Sequence, residues 1–199
     1  YGPAFITCLQ SKASGSSQMA DQPEMSSLTN ILHQHGYQLL HHAAHDHNHG
    51  PALHHLALLH NQHDHGEEFS QLLSKAAATG NPDSLFLQGH SHYFGTDGCD
   101  QSFPAALGNF LAAAEGGHVD AMISAGAMLH QGVVSGDGKT VIIERDQRKA
   151  FELYQQAGEL GSVEGWRNVV SCYATGQGVP QCLESAKRIA KLMLKEDDN

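Results

Sequence analysis

The sequence predicts an all-α protein, an α/α superhelical solenoid built from helical hairpins. Three observations predict it. The segments AAATGNPDSLFLQGHSHYFG (76–95), AAEGGHVDAMISAGAMLHQG (113–132) and AGELGSVEGWRNVVSCYATG (157–176) align without a gap. Apolar residues recur at helical spacing before and after the first glycine of each segment. Glycines stand where such helices must end or approach one another closely.

Taken in order, residues 1–28 are rich in Ser, Gln, Gly and Ala and carry Pro3 and Pro23, which reads as a disordered or loosely ordered tail. The first residue is Tyr1 rather than Met. Residues 1–20 hold neither a basic leader nor a long apolar core, so no signal peptide is expected within them, and a targeting segment upstream of Tyr1 stays open. The default location is cytoplasmic, with the compartment unassigned.

Residues 29–66 read as a histidine-rich, divergent helical hairpin. Tyr37, Leu40 and Ala44 form one apolar stripe, and Leu53, Leu56, Ala57 and Leu59 a second. Gly50-Pro51 is a natural break between two helices.

Residues 67–194 read as the repeat array, about three hairpins and a closing helix. The first anchors are Gly80, Gly117 and Gly161, spaced 37 and 44 residues apart. Gly89, Gly126 and Val170 follow nine residues later, and Gly95, Gly132 and Gly176 fifteen residues later. The first glycine suits a left-handed helix C-cap. Asp83, Asp120 and Glu164 then fall in the first turn of the next helix, where a carboxylate meets the positive end of the dipole. The middle small residue permits close helix approach, and the last glycine ends the second helix.

In the third unit Ala150, Phe151, Leu153, Tyr154, Ala157 and Leu160 form the first stripe, and Val163, Trp166, Val169, Val170 and Tyr173 the second. Trp166 reads as a core residue. The extra residues between units two and three fall in VVSGDGKTVIIERD (133–146), whose SGDG reads as an exposed loop and whose VII as a short extended segment. Leu183, Ala186, Ile189, Ala190 and Met193 form a closing helix with Lys187, Arg188, Lys191 and Lys195 on its wet side, as a solenoid end requires. Residues 195–199 are an acidic tail.

These residues resemble the Sel1-like repeat family. Residues 148–190 carry the pattern most fully, in Ala150, Tyr154, Ala157, Gly161, Glu164, Tyr173, Gly176, Gly178 and Val179. Val170 stands where the pattern has Gly, Gly158 where it has the second Ala of a pair, and Gly165 where it has Ala. His92 and Leu129 replace an aromatic. These departures predict locally looser packing. The resemblance implies a fold of the tetratricopeptide type and an adaptor rather than a catalyst. It also implies a partner peptide or helix on the concave face formed by the first helices, where Asn109, Lys149, Glu152, Gln155 and Gln156 are the exposed candidates.

Histidine is the compositional outlier. Of 16 residues, 12 fall between His33 and His65. One reading places them on the polar face of a hairpin, and another makes the tract a low-complexity linker. The chemical alternative is a metal-binding or metal-responsive protein, with zinc, nickel or copper as the ligand's class, since neutral imidazole is a common ligand for each. His41, His45, His47, His49, His63 and His65 are its candidates. His41 and His45 share a helix face; the H-x-H pairs can chelate only in loop or extended chain, because residues two apart on a helix point in nearly opposite directions.

Charge excludes other classes. Residues 1–147 hold 4 Lys/Arg against 14 Asp/Glu, and residues 148–199 hold 7 of each, for a net charge of -10. Such a surface repels phosphate backbones and anionic membranes. No apolar run is long enough to span a bilayer. Cys8, Cys99, Cys172 and Cys182 have no zinc-site spacing and read as free thiols. No nucleophile elbow, phosphate loop or H-E-x-x-H is present, and the Gly-x-Gly at 136–138 and 176–178 follow no strand. The expectation is therefore no catalytic residue, no cofactor and no nucleic-acid partner.

Overall fold

The computed structural model describes residues 23–46, 48–62, 66–136 and 138–196. The described helices are α1 (Pro23–Asp46), α2 (Gly50–Gln62), α3 (Gly66–Ala78), α4 (Pro82–Phe94), α5 (Phe103–Glu115), α6 (Val119–Gln131), α7 (Gln147–Glu159), α8 (Val163–Thr175) and α9 (Leu183–Glu196). Between α6 and α7 lies an antiparallel ribbon of β1 (Val133–Val134) and β2 (Val141–Ile143), which pairs Val133 with Ile143 and Val134 with Val141. The chain divides into two units, residues 1–39 and 40–199.

Within residues 40–199 each helix packs on its neighbours in sequence, from α2 through α9. The predicted solenoid is present. Hairpins α3–α4, α5–α6 and α7–α8 are the three repeats, and α9 adds the first helix of a fourth.

The turns inside the three hairpins share one construction. Gly80, Gly117 and Gly161 have φ of 82°, 86° and 94°, as the sequence predicted for left-handed caps. In each, two backbone bonds close the helix end: Gly117 N–H donates to Ala114 O at 2.9 Å and His118 N–H to Ala113 O at 3.0 Å, the Schellman pattern. The next residue then caps the following helix. Asn81, His118 and Ser162 accept from the backbone N–H of Ser84, Ala121 and Gly165. Gly95, Gly132 and Gly176 end the second helices as expected, and Gly178 backs onto the Gln147 carbonyl.

Helices α2 to α8 are each 13 residues long. The eighth residue is where hairpins meet. A Cβ on Gly89 would lie 2.6 Å from the Phe110 ring, and one on Gly126 would lie 2.6 Å from the Tyr154 ring. The second helix thus gives up its side chain so that an aromatic of the next hairpin can lie on its backbone. Where Val170 replaces the glycine, the eighth residue of α9 is Ala190, and both line one groove. At the other end Ala57 of α2 and Leu73 of α3 share a buried cluster. Small meets large at each junction, with the order exchanged at α8–α9.

The looser packing expected at Gly158 and Gly165 is corrected. A Cβ on Gly158 would sit 2.7 Å from the Trp166 ring, and one on Gly165 would sit 2.5 Å from the Gly158 nitrogen. Losing both methyls brings α7 and α8 closer and makes room for the half-buried indole. Two boundaries also move. Helix α1 begins at Pro23, inside the predicted tail, and α9 runs to Glu196, into the predicted acidic tail. The rest of both tails lies outside the described residues. Helix α9 exposes Lys187, Arg188 and Lys191 as expected but also Leu192 and Leu194, so its outer face is mixed rather than wholly polar.

Gly126→Ala is expected to lower the unfolding free energy by about 1–3 kcal/mol, the usual cost of overpacking, less the roughly 1 kcal/mol that alanine gains in a helix. Combined with Tyr154→Ala, the total loss should be smaller than the sum of the two single losses. Urea denaturation of the cycle measures this coupling, and strictly additive losses would show that ring and glycine do not meet.

Candidate functional site

The sequence-predicted partner residues separate on inspection. Lys149, Glu152, Gln155 and Gln156 are exposed on α7, whereas Asn109 on α5 is half-buried and does not join them as an open contact. Arg148 Nε lies 3.3 Å from Glu152 Oε1, and Gln155 donates to Glu159 Oε1 at 2.9 Å. The stretch is a solvated helix face tied by pairs four residues apart.

Of the six predicted metal ligands, His41 and His49 have described side chains. His41 is exposed on α1. His49 Nδ1 instead accepts from Ala52 N–H at 3.3 Å and so caps α2. His45 lies within α1, its side chain not described, and His47, His63 and His65 lie outside the described residues. Among the described residues no group of three His, Cys, Asp or Glu side chains converges to hold a metal ion. Cys99, Cys172 and Cys182 carry free thiols. Burial pushes the Cys172 thiol up, while a hydrogen bond to Ser185 holds Cys182 down.

The structure builds two features that local sequence did not announce. The first is a chain of imidazoles at the junction of α2, α4 and α6. Buried His54 shares a hydrogen bond with fully buried Ser84, Nδ1 to Oγ, at 2.9 Å. Next in sequence to that serine, Asp83 Oδ1 lies 3.6 Å from His118 Nε2. The His118 ring stacks on Phe86, centroids 4.2 Å apart, and its Nδ1 caps α6. Phe86 also meets His90 edge-to-face, centroids 4.6 Å apart. Accepting the Ala121 N–H fixes His118 as the tautomer with its proton on Nε2, aimed at Asp83.

The second feature is an open groove of about 470 Å³ between α4 and α6. Helix α4 contributes His90, Tyr93 and Phe94. Helix α5 forms the floor with Phe103 and Phe110. Helix α6 contributes Ser124, Met128 and Gln131, and β1 closes one side with Val133 and Val134. The size falls within the roughly 300–1,000 Å³ of ordinary binding pockets. Phe94 is 61% exposed and Val134 57%, so its rim is apolar and wet. Tyr93 meets Phe94 and Phe103 edge-to-face, at 4.9 and 5.4 Å.

Repetition supplies an internal control. One repeat further on, the same helix positions hold Ala127, His130 and Gln131 in α6, Gln147 and Tyr154 in α7, and Asn168 and Cys172 in α8. Only the floor aromatic, which the fold requires against Gly126, persists. The remaining aromatics of the groove are therefore additional to what the repeat needs.

A family model for the Sel1 repeat matches residues 82–118 and 119–162. Residues 82–162 carry two Sel1 repeats. The matches begin at α4 and α6, each taking a second helix with the first helix that follows. They stop before α8 and α9, although the sequence pattern is fullest at 148–190 and the hairpin geometry continues there. A protective antigen present in uropathogenic Escherichia coli strains, displaying an SLR fold, aligns with a TM-score of 0.68 at 18% identity. A Sel1 repeat protein from Oxalobacter formigenes aligns at 0.64 and 23%. Each alignment covers 80% of this chain, but only 33% and 63% of those chains. At such identities the likeness is one of fold. No curated protein matches.

The imidazole chain makes stability depend on pH. Burial lowers His54 below the ordinary 6.5, against an opposing pull from Asp83 and with help from His55 and His118. Burial likewise lowers His90, opposed by Asp120 and assisted by His118. A lowered folded-state value means that the unfolded chain binds protons first as pH falls. The stability these two rings contribute is complete above about pH 6.5 and declines below it. The unfolding temperature should therefore fall between pH 7.5 and 5.5, and fall less in a His54→Gln/His90→Phe variant. Equal pH slopes for variant and parent would exclude both rings as the cause.

Proposed function

We propose that this chain is a non-enzymatic scaffold that holds a segment of a partner protein in the groove between α4 and α6. Sel1 repeats are generally protein–protein interaction modules. Repeat arrays serve that role because stacked hairpins present one continuous surface that is held rigid by its own packing. The observation that carries the reading is the concentration of aromatics in one inter-hairpin groove, with polar residues at the same positions one repeat later. Aromatic side chains contribute most of the energy at protein interfaces, because they bury much area for little lost rotamer freedom. No described grouping of nucleophile, base and oxyanion donors points to a reaction.

The first-helix face with Lys149, Glu152, Gln155 and Gln156 is the other surface on which such a partner would rest, as the family resemblance implies. Its exposed polar pairs offer little energy per contact, so the groove is the stronger candidate.

Affinity capture from native lysate separates the two faces. A Phe94→Asp/Val134→Asp variant changes only exposed rim residues and should retain its helical circular dichroism. It is expected to lose the partner that the parent chain retains, by tenfold or more. A Glu152→Ala/Gln155→Ala/Gln156→Ala variant is expected to keep it. The reverse pattern would transfer the interaction to the first helices, and no specific partner with any form would remove the scaffold reading.

A further inference from the structure

We infer that α8 and α9 form a second docking surface, which takes an acidic amphipathic helix of a partner protein. The inference does not depend on the groove between α4 and α6.

Helix α9 departs from the other first helices at two adjoining positions. The eleventh and twelfth residues of α3, α5 and α7 are Ala76 and Ala77, Ala113 and Ala114, Ala157 and Gly158, and all are buried. Small residues there let a second helix come close, as Gly165 of α8 does on Gly158. The same positions of α9 hold Met193 and Leu194, and Leu194 is 67% exposed. The eighth residue changes in the opposite sense, from Leu73, Phe110 and Tyr154 to Ala190. A helix seated as α8 is on α7 has no room beside the Leu194 side chain. Knob and hollow have changed places, so this face is not the seat of another repeat hairpin.

The hollow is an open groove of about 280 Å³, lined by Val163, Arg167 and Val170 of α8 and by Ala190, Met193 and Leu194 of α9. It falls below the roughly 300–1,000 Å³ of a small-molecule pocket. A trough between neighbouring helices, edged by exposed Val163 and Leu194, suits the side chains of a third helix spaced three and four residues apart.

Charge selects which helix. Arg167 is the only charged residue of the lining, and it stands at the fifth position of α8, where α4 and α6 have Phe86 and Ile123. Lys187 and Lys191 lie three residues before Ala190 and Leu194 and so share their side of α9. Residues 163–194 hold four Lys/Arg against two Asp/Glu, the reverse of the balance in residues 1–147. Both acids are already engaged: Glu184 lies 3.7 Å from Lys187, and Glu164 sits in the first turn of α8, at the positive end of its dipole. Among the described residues no carboxylate forms an ion pair with Arg167 or Lys191. The start of α8 and the end of α9 both reach the groove, so their dipoles offset and the side chains set its sign. An apolar stripe on the partner helix covers Leu194 and the groove, and acidic flanks meet Arg167, Lys187 and Lys191.

The test uses the full chain and a phage-displayed library of random peptides about 14 residues long. The library is depleted on an Arg167→Glu/Leu194→Asp variant and then selected on the parent chain. Both residues are exposed, so the variant should keep its helical circular dichroism. The peptides retained are expected to be rich in Asp and Glu, with large apolar residues three and four apart. For such a peptide, Arg167→Glu/Lys191→Glu and Leu194→Asp should each weaken binding about tenfold. Raising salt from about 50 to 500 mM should weaken it severalfold, and Phe94→Asp/Val134→Asp should leave it unchanged. Retained peptides without an acidic excess, or none left after depletion, would overturn the inference. So would a dimer in sedimentation that Leu194→Asp abolishes, which makes a second copy the occupant. Tighter peptide binding after removal of residues 197–199 would overturn it too, by making the chain's own acidic end the occupant.

Discussion

Everything in this array depends on an aromatic ring lying on a bare stretch of helix. Phe110 sits where Gly89 has no side chain, and Tyr154 sits where Gly126 has none. Two helices packed through ordinary side chains stand about 8–10 Å apart. Removing one Cβ lets the backbone approach the ring, and the ring then fills the junction without leaving a void. Because the arrangement falls on the eighth residue of each of these 13-residue helices, α4 and α6 present the hairpin that follows with the same seat. The pair also ties the site to the fold: Phe110, which locks α5 onto α4, is the floor of the groove. Burial keeps the matching Tyr154 phenol protonated, pushed up to about 12, so the junction stays uncharged across any working pH.

The hairpins, their turns and their closing glycines were legible because each is a local requirement. A left-handed cap needs Gly80, Gly117 or Gly161 at one place, and apolar spacing is visible over a single helix. The meaning of Gly158 and Gly165 was not legible in that way. Read one at a time, a missing methyl signals a gap. Only the facing helix shows that the space is occupied, by the Trp166 ring in one case and by the α7 backbone in the other. The groove escaped for the same reason. Its rim joins the end of α4, the middle of α6 and the first strand of the ribbon, residues that no periodic pattern links. One signal was available in the sequence: Tyr93, Phe94 and Phe103 crowd together in a chain with few aromatics, and the aligned positions of the next repeat are not aromatic.

Histidine composition drew attention to residues 33–65, yet the described imidazoles with the most defined roles are elsewhere or act singly. His49 and His118 each cap a helix through a ring nitrogen, a task that Asn81, Ser102, Asp146 and Ser162 perform with oxygen. The ring nitrogen accepts from the third backbone N–H after it just as those oxygens do. Within the core, His54 Nδ1 and Ser84 Oγ share a hydrogen bond at 2.9 Å.

The irregularity between the second and third hairpins bears on function more directly than the repeats do. The anchor spacing rises from 37 to 44 residues there, and the added length forms the ribbon β1–β2. A longer connection costs little, since loop entropy grows only slowly with length, so the array tolerates it without loss of register: Asp146 N–H still bonds to Leu129 O at 2.8 Å, anchoring the far end of the ribbon on α6. What the insertion adds is a wall. Val133 and Val134 close the side of a groove that would otherwise be an open trough between two helices. The same groove is the one enriched in aromatics. A repeat supplies identical seats along its length, and a single partner can be placed only by making one of them different. Here the insertion and the aromatic excess make the same one different.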